Sequence, residues 1–332
     1  MRKARFWERI EKTNQVQCLL CPHHCLLAED QVGICRVRQN QGGILYAQTY
    51  GKIAALALDP VEKKPLYHFY PGSNILSIGS VGCNLRCIFC QNWHISQASF
   101  QDFPLQDVSG EELVGMAINK GSVGIAYTYN EPLVSWEFVY DTAFLAREKK
   151  IKNVLVTNGY IEKEPLQELL PLIDAANIDL KSMDEIFYQR YCGGKLSVVL
   201  STIEMAFHAG VHVEITNLLV PSLNDQLELV ERLVDWIARL SPSIPLHFSR
   251  CFPAYRFDSP PTSLSVLERA FAVAKRKLHF VYLGNVHDTE RSSTFCPSCG
   301  RLLVKRSGYQ VNVVGLKGKR CQFCQTSLYF CN

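Results

Sequence analysis

Ser77-Ile78-Gly79-Ser80-Val81-Gly82-Cys83-Asn84-Leu85-Arg86-Cys87-Ile88-Phe89-Cys90-Gln91-Asn92-Trp93 sets three cysteines at Cys-x3-Cys-x2-Cys spacing on a tight loop that follows a strand. Three thiolates that close together can bind three irons of a cubane cluster and leave the fourth iron without a protein ligand. An open iron in a soft thiolate site is a place for chemistry. What surrounds the triplet decides whether that open position is used.

Downstream, strands and helices alternate. Ser109 and Glu112 form a capping box for a helix with Leu113, Met116 and Ala117 on its apolar face. A strand over 123–127 precedes Pro132, which opens a helix with Trp136, Tyr140 and Phe144 on one side. Strands follow over 153–157, 177–180, 211–220, 244–248 and 279–283, with helical patterns between them; one carries Val199, Ile203, Ala206 and Phe207, another Leu227, Val230, Val234 and Ile237. The alternation predicts an α/β domain over 73–290, a parallel sheet curled into a partial (βα)6-type barrel with helices outside. Ligand sites in such folds lie at the carboxyl ends of the strands, and the cysteine loop leaves the first of them.

Two further cysteine groups flank this domain. Residues 1–72 form a Cys-rich extension in which Cys18, Cys21, Cys25 and Cys35 sit beside Pro22 and Gly33. Their spacing is neither a ferredoxin run nor a plain zinc ribbon, so a structural zinc, a second iron–sulfur cluster and unligated thiols all stay open. His23 and His24 read as exposed loop residues, and 42–72 as small strands that pack on the main domain without chemistry of their own. Residues 291–332 carry Cys296-x2-Cys299 and Cys321-x2-Cys324 around a hairpin over 302–314, a zinc-ribbon-like module, although Gln325 stands where glycine is common. Cys331 reads as a spectator.

The chain has 332 residues, 47% hydrophobic and 20% charged, with a formal charge of +4. That charge argues against a strongly cationic substrate and is too small to argue for nucleic acid or membrane partners. No apolar run is long enough to cross a bilayer, and eleven of the fourteen cysteines fall in three groups at metal-ligand spacing, which fits a reducing compartment; the expected location is the cytoplasm.

The triplet with Phe89 before its third cysteine, together with the strand–helix alternation, resembles the radical S-adenosylmethionine (SAM) superfamily. Cys21-Pro22-His23-His24-Cys25, Glu62-Lys63-Lys64-Pro65-Leu66-Tyr67-His68-Phe69, Cys90-Gln91-Asn92-Trp93, Tyr127-Thr128-Tyr129-Asn130-Glu131-Pro132 and the terminal knuckles are similar to the AmmeMemoRadiSam system radical enzymes, relatives of pyruvate formate-lyase activating enzymes. The resemblance implies that Cys83, Cys87 and Cys90 bind a 4Fe-4S cluster whose fourth iron takes SAM, and that reductive cleavage of SAM gives a 5′-deoxyadenosyl radical that abstracts hydrogen from a substrate. It also implies cofactor contacts at Phe89, Asn130, Glu131, Asn158, Asp179, Lys181 and, on a late strand, His247. A mutual salt bridge at Asp179 and Lys181, a helix-start charge at Glu131 and a core role for His247 are the competing structural readings. Implied partners are a ferredoxin- or flavodoxin-type reductant, a substrate that includes partner proteins among its candidates, and Memo-like and AMMECR-like proteins. The rival reading is a non-catalytic metalloprotein binding nucleic acid or protein through its ribbon; basic residues are not arranged in aromatic-interleaved stripes, which makes nucleic acid the weaker partner.

Overall fold

In the computed structural model, which describes residues 1–11 and 13–332, eight strands share one sheet. They are β1 (Ala55–Pro60), β2 (Asn74–Gly79), β3 (Gly124–Tyr127), β4 (Lys152–Thr157), β5 (Ala175–Asp179), β6 (His212–Leu219), β7 (Leu246–Arg250) and β8 (Val281–Gly284), paired in sequence order. β2 to β8 run parallel; β1 is antiparallel to β2. The sheet therefore starts at Ala55, inside the stretch read from sequence as packing strands, and β1 and β8 remain its two edges. The sheet is open and does not close on itself.

Six helices connect the parallel strands: α1 (Gly110–Asn119), α2 (Trp136–Glu148), α3 (Lys163–Leu169), α4 (Leu196–His208), α5 (Leu227–Leu240) and α6 (Leu264–Lys275). The Ser109–Glu112 capping box is present at the start of α1. Joining neighbouring strands in sequence order by right-handed crossovers puts all the helices on one face. The side chains agree: Leu76, Ile78, Ile125, Leu155 and Ile215 share one core with Leu113, Val139, Leu166 and Val199 of the helices. On α2 the inward residues are Val139, Ala143 and Ala146, whereas Phe144 is exposed, so the expected aromatic stripe holds only at Trp136 and its stacked neighbour Tyr140.

The alternate strand residues face inward and meet a different layer. Ile75, Ala126, Val154 and Ala175 pack on Val61, Leu66 and Phe69, which cross the barrel as a floor. The amino-terminal extension is two small antiparallel sheets. A fully buried Arg38 bolts it to α2, with both guanidinium nitrogens 2.9 Å from the Glu137 carboxylate. The carboxyl-terminal module centres on Leu302–Ser307 and Gln310–Val313. No helix is long and apolar enough to cross a membrane among the described residues.

Candidate functional site

The cysteine loop leaves β2 at its carboxyl end, and its path is fixed by neighbours. Asn130, just past β3, accepts from the Ser80 N–H and donates to the Val81 and Gly82 carbonyls. Gly82 has φ +88, and a Cβ there would lie 2.5 Å from the Cys35 carbonyl oxygen, so glycine alone lets the loop approach the extension this closely.

Each of the three sulfurs has a polar neighbour. Cys83 Sγ accepts from the Leu85 N–H at 3.3 Å and from Asn158 Nδ2 at 3.5 Å. Cys90 Sγ lies 3.2 Å from Ser96 Oγ. Cys87 is met by the thiol of Cys192, whose backbone carbonyl also accepts from Arg86 N–H. Donors aimed at sulfur suit thiolates that carry metal. Burial pushes the Cys83 and Cys90 thiols up from their ordinary values, so binding there must displace protons. Among the described residues, one group of Cys, His, Asp or Glu has ligand atoms all within 4.8 Å of one another, and it is not this triplet. At least one pair of the three sulfurs therefore stands more than 4.8 Å apart.

The strand ends bring most of the expected residues here. Glu131 is buried; its carboxylate accepts from the Leu133 and Asn158 N–H groups and from the Thr157 hydroxyl. It thus caps the turn at Pro132 and ties the end of β3 to that of β4, and burial pushes it up to about 7. Asn158 also donates to Asn84 Oδ1 at 3.0 Å. Asp179 and Lys181 form the salt bridge at 2.8 Å. Burial opposes the Lys181 charge, but Asp179, Cys87 and Cys192 outweigh it and hold the ammonium well above its usual range, which places a cation beside the thiolates. Phe89 is buried against Phe187. Trp93 stacks on Tyr255, and the Arg256 N–H donates to the Ile88 carbonyl, so the loop after β7 covers the cysteine loop. Arg250 turns to the Thr262 carbonyl.

His247 is committed elsewhere. Its Nε2 lies 2.7 Å from Oε2 of Glu214, a fully buried carboxylate on β6. The same carboxylate accepts from the Tyr67 and His68 N–H groups and lies 3.2 Å from His212. Burial would raise Glu214, but His212 and His247 hold it well below the usual carboxylate range. His68 in turn contacts Tyr282 OH and the Tyr329 carbonyl, and Arg306 of the terminal module donates to the Tyr67 carbonyl. The Glu62–Phe69 stretch is therefore the polar joint between barrel and terminal module. Sequence reading gave this stretch a packing role without chemistry and missed Glu214 altogether.

Beside this joint, between the β7 and β8 ends and the Gly308–Tyr309 turn, opens a groove of about 500 Å³. Gln91, next to Cys90, lines it together with Lys63, Tyr67, His247 and Asp288.

The terminal quartet is compact. Cys296 and Cys324 sulfurs are 3.6 Å apart, Cys299 and Cys321 3.7 Å, close to the roughly 3.8 Å expected for four thiolates around one tetrahedral ion. Gly300 and Gln325 occupy equivalent left-handed positions, at φ 71 and 62, so Gln325 performs the turn that glycine usually does. Cys18, Cys21, Cys25 and Cys35 instead surround a closed cavity of about 20 Å³. His23 is not an exposed loop residue: its Nε2 lies 2.7 Å from the Asn84 carbonyl and its ring rests on Tyr160. His24 pairs with Glu162 at 2.9 Å. Cys331 lies in a tail whose backbone pairs with His68 and Tyr70 at the barrel floor.

Residues 77–237 match the family profile described as the Radical SAM superfamily. A Methanocaldococcus jannaschii protein of uncharacterized function is 44% identical over 329 residues, 98% of either chain. Pyruvate formate-lyase 1-activating enzyme of Escherichia coli K12 is 26% identical over 160 residues, 46% of this chain and 63% of that one. The crystal structure of Streptococcus suis SuiB bound to S-adenosylmethionine superposes with a TM-score of 0.51 at 16% identity, over 63% of this chain and 49% of that one, a likeness of fold.

Proposed function

Because the chain belongs to the Radical SAM superfamily, we propose that it is an activating-enzyme-like radical enzyme that abstracts hydrogen from a segment of a partner protein. A 4Fe-4S cluster on Cys83, Cys87 and Cys90 with SAM on its fourth iron supplies, when bound, the one-electron cleavage that makes a 5′-deoxyadenosyl radical. The protein's part is to bind, orient and shield. Asn130 fixes the loop through the Val81 and Gly82 carbonyls, and Asn158 donates to the Cys83 sulfur. Asp179 and Lys181 offer a carboxylate for ribose hydroxyls and an ammonium for a carboxylate. Phe89, Glu131 and His247 shape the chamber from behind, the last through Glu214. The terminal quartet holds zinc as a structural ion.

The observation that carries the reading is the groove that runs from Gln91, beside the third cysteine, to Tyr309 on the terminal module. It is open, lies by the β7 and β8 ends and is lined by both aromatic and charged side chains, which suits an extended peptide better than an enclosed metabolite. The distant likeness to pyruvate formate-lyase activating enzymes supports the same class. The motifs at 21–25 and 62–69 support membership of the AmmeMemoRadiSam system, with Memo-like and AMMECR-like proteins as its associates and a flavodoxin- or ferredoxin-type reductant. A non-catalytic binding role is disfavoured, since it has no use for a cysteine triplet set at the carboxyl ends of a seven-strand parallel sheet.

Anaerobically reconstituted protein given dithionite and SAM is expected to release 5′-deoxyadenosine and methionine, and Cys87→Ala to release neither. Wild type that carries its full iron yet leaves SAM intact would refute the enzyme reading.

A further inference from the structure

The amino-terminal quartet differs from the terminal one in a way that identifies its ligand. A single tetrahedral ion draws four thiolates to about 3.8 Å from one another. Cys296, Cys299, Cys321 and Cys324 have that geometry, with sulfur pairs at 3.6 and 3.7 Å. Cys18, Cys21, Cys25 and Cys35 do not: among the described residues, no three of them bring their sulfurs within 4.8 Å of one another. In this they are like Cys83, Cys87 and Cys90, whose sulfurs also are not all within 4.8 Å of one another. A cubane holds its cysteine sulfurs on the order of 6 Å apart, at the corners of a larger tetrahedron.

The space between the sulfurs fits as well. The four cysteines line a small cavity with Leu20, Leu27 and Val134, and His23, His24 and Arg38 add polar wall. Asn84, the neighbour of Cys83 in the chain, lines it too. Asn84 is buried, accepts from Asn158 and is fastened to the extension through His23 and its own carbonyl. At Gly82 the two loops come so close that a Cβ would strike Cys35 O. One residue thus separates the cavity from the first sulfur of the triplet.

We infer that Cys18, Cys21, Cys25 and Cys35 hold a second iron–sulfur cluster, next to the first across Asn84, and not a zinc ion. The second cluster is a one-electron centre inside the protein, beside the first across Asn84.

Metal and acid-labile sulfide are to be counted on the full chain after anaerobic reconstitution with iron, sulfide and zinc. Wild type is expected to hold about eight irons, and Cys83→Ser/Cys87→Ser/Cys90→Ser about four, with matching sulfide. Adding Cys21→Ser and Cys25→Ser should remove the rest and leave roughly one zinc per chain in every variant. Wild type with about four irons and two zincs, or a triplet variant free of iron, overturns the inference. These counts need no SAM cleavage, so they stand or fall apart from the proposed activity. The contact across Asn84 is read by electron paramagnetic resonance of fully reduced wild type. Two neighbouring spins should broaden each other, and a spectrum equal to the sum of two isolated clusters refutes the placement.

Discussion

Replacing Glu214 with glutamine tests the polar floor of the barrel. The change keeps the shape of the side chain and removes its charge. Each carboxylate oxygen serves one backbone N–H and one imidazole: Oε1 faces His68 N–H and His212, Oε2 faces Tyr67 N–H and His247. An amide has one oxygen, so in either orientation its NH2 confronts a backbone N–H that has no tautomer to offer. That orphaned donor costs about 1–3 kcal/mol. The bonds that survive lose their charge assistance, roughly another 1 kcal/mol each. The total, about 3–5 kcal/mol, agrees with the usual cost of removing one partner from a buried ionic cluster. The loss should also depend on pH. Burial lowers the His212 imidazole, but Cys331 and Glu214 outweigh it and raise it to about 9. A raised imidazole stabilises the fold fully below the free histidine range and loses that contribution as pH rises toward 9; the shift corresponds to roughly 3 kcal/mol. Glu214, held low, contributes above the ordinary carboxylate range and loses its share as pH falls below it. Urea unfolding of the metal-loaded protein should therefore give wild type its highest midpoint near pH 6 and a lower one at pH 9.5, with Glu214→Gln well below wild type at pH 6 and closer to it at pH 9.5. A variant within about 1 kcal/mol of wild type at pH 6, or a gap that ignores pH, would refute this account of the floor.

Other substitutions probe the loop and the terminal module. Asn158→Leu removes a donor from Cys83 and the link to Asn84, so the triplet's cluster should become harder to reduce in an anaerobic dye titration while its iron content holds. Gly82→Ala drives a Cβ into the Cys35 carbonyl at a left-handed φ, and iron occupancy after reconstitution should fall by more than half. A zinc chelator, or Cys321→Ser, should loosen the whole barrel and not just the terminal module, because Arg306 and Tyr329 are built into the floor; a Tm unchanged by chelation contradicts that.

Local signals survived translation into structure best. The Ser109 cap, the Val199, Ile203 and Ala206 face of α4 and the run of parallel strands follow from periodicities read within a dozen residues. The cysteine spacings likewise located both flanking quartets and the triplet. What sequence did not disclose depends on partners far apart in the chain. Glu214 meets Tyr67 across 147 positions, and Arg306 meets Tyr67 across 239. A polar residue in the middle of an apolar strand reads as noise until its partner is in place. Glu131 shows the opposite limit: its motif was legible, but whether the carboxylate turns outward or back to Thr157 and Asn158 is decided by packing between strand ends. The pairing of His247 with Glu214 is set in the same way, between neighbouring strands.

The tail that seals the barrel floor also sets an order of assembly. Cys331, which bridges to Phe69, follows Cys90 by 241 residues. At roughly 5–20 residues per second, a ribosome finishes the triplet on the order of ten to fifty seconds before it finishes the plug. For that interval the nascent chain has its cysteine loop and the Val61–Phe69 floor without the tail that pairs with it. Tyr329 and Phe330 then seat on His68 as the last part of the floor to be made.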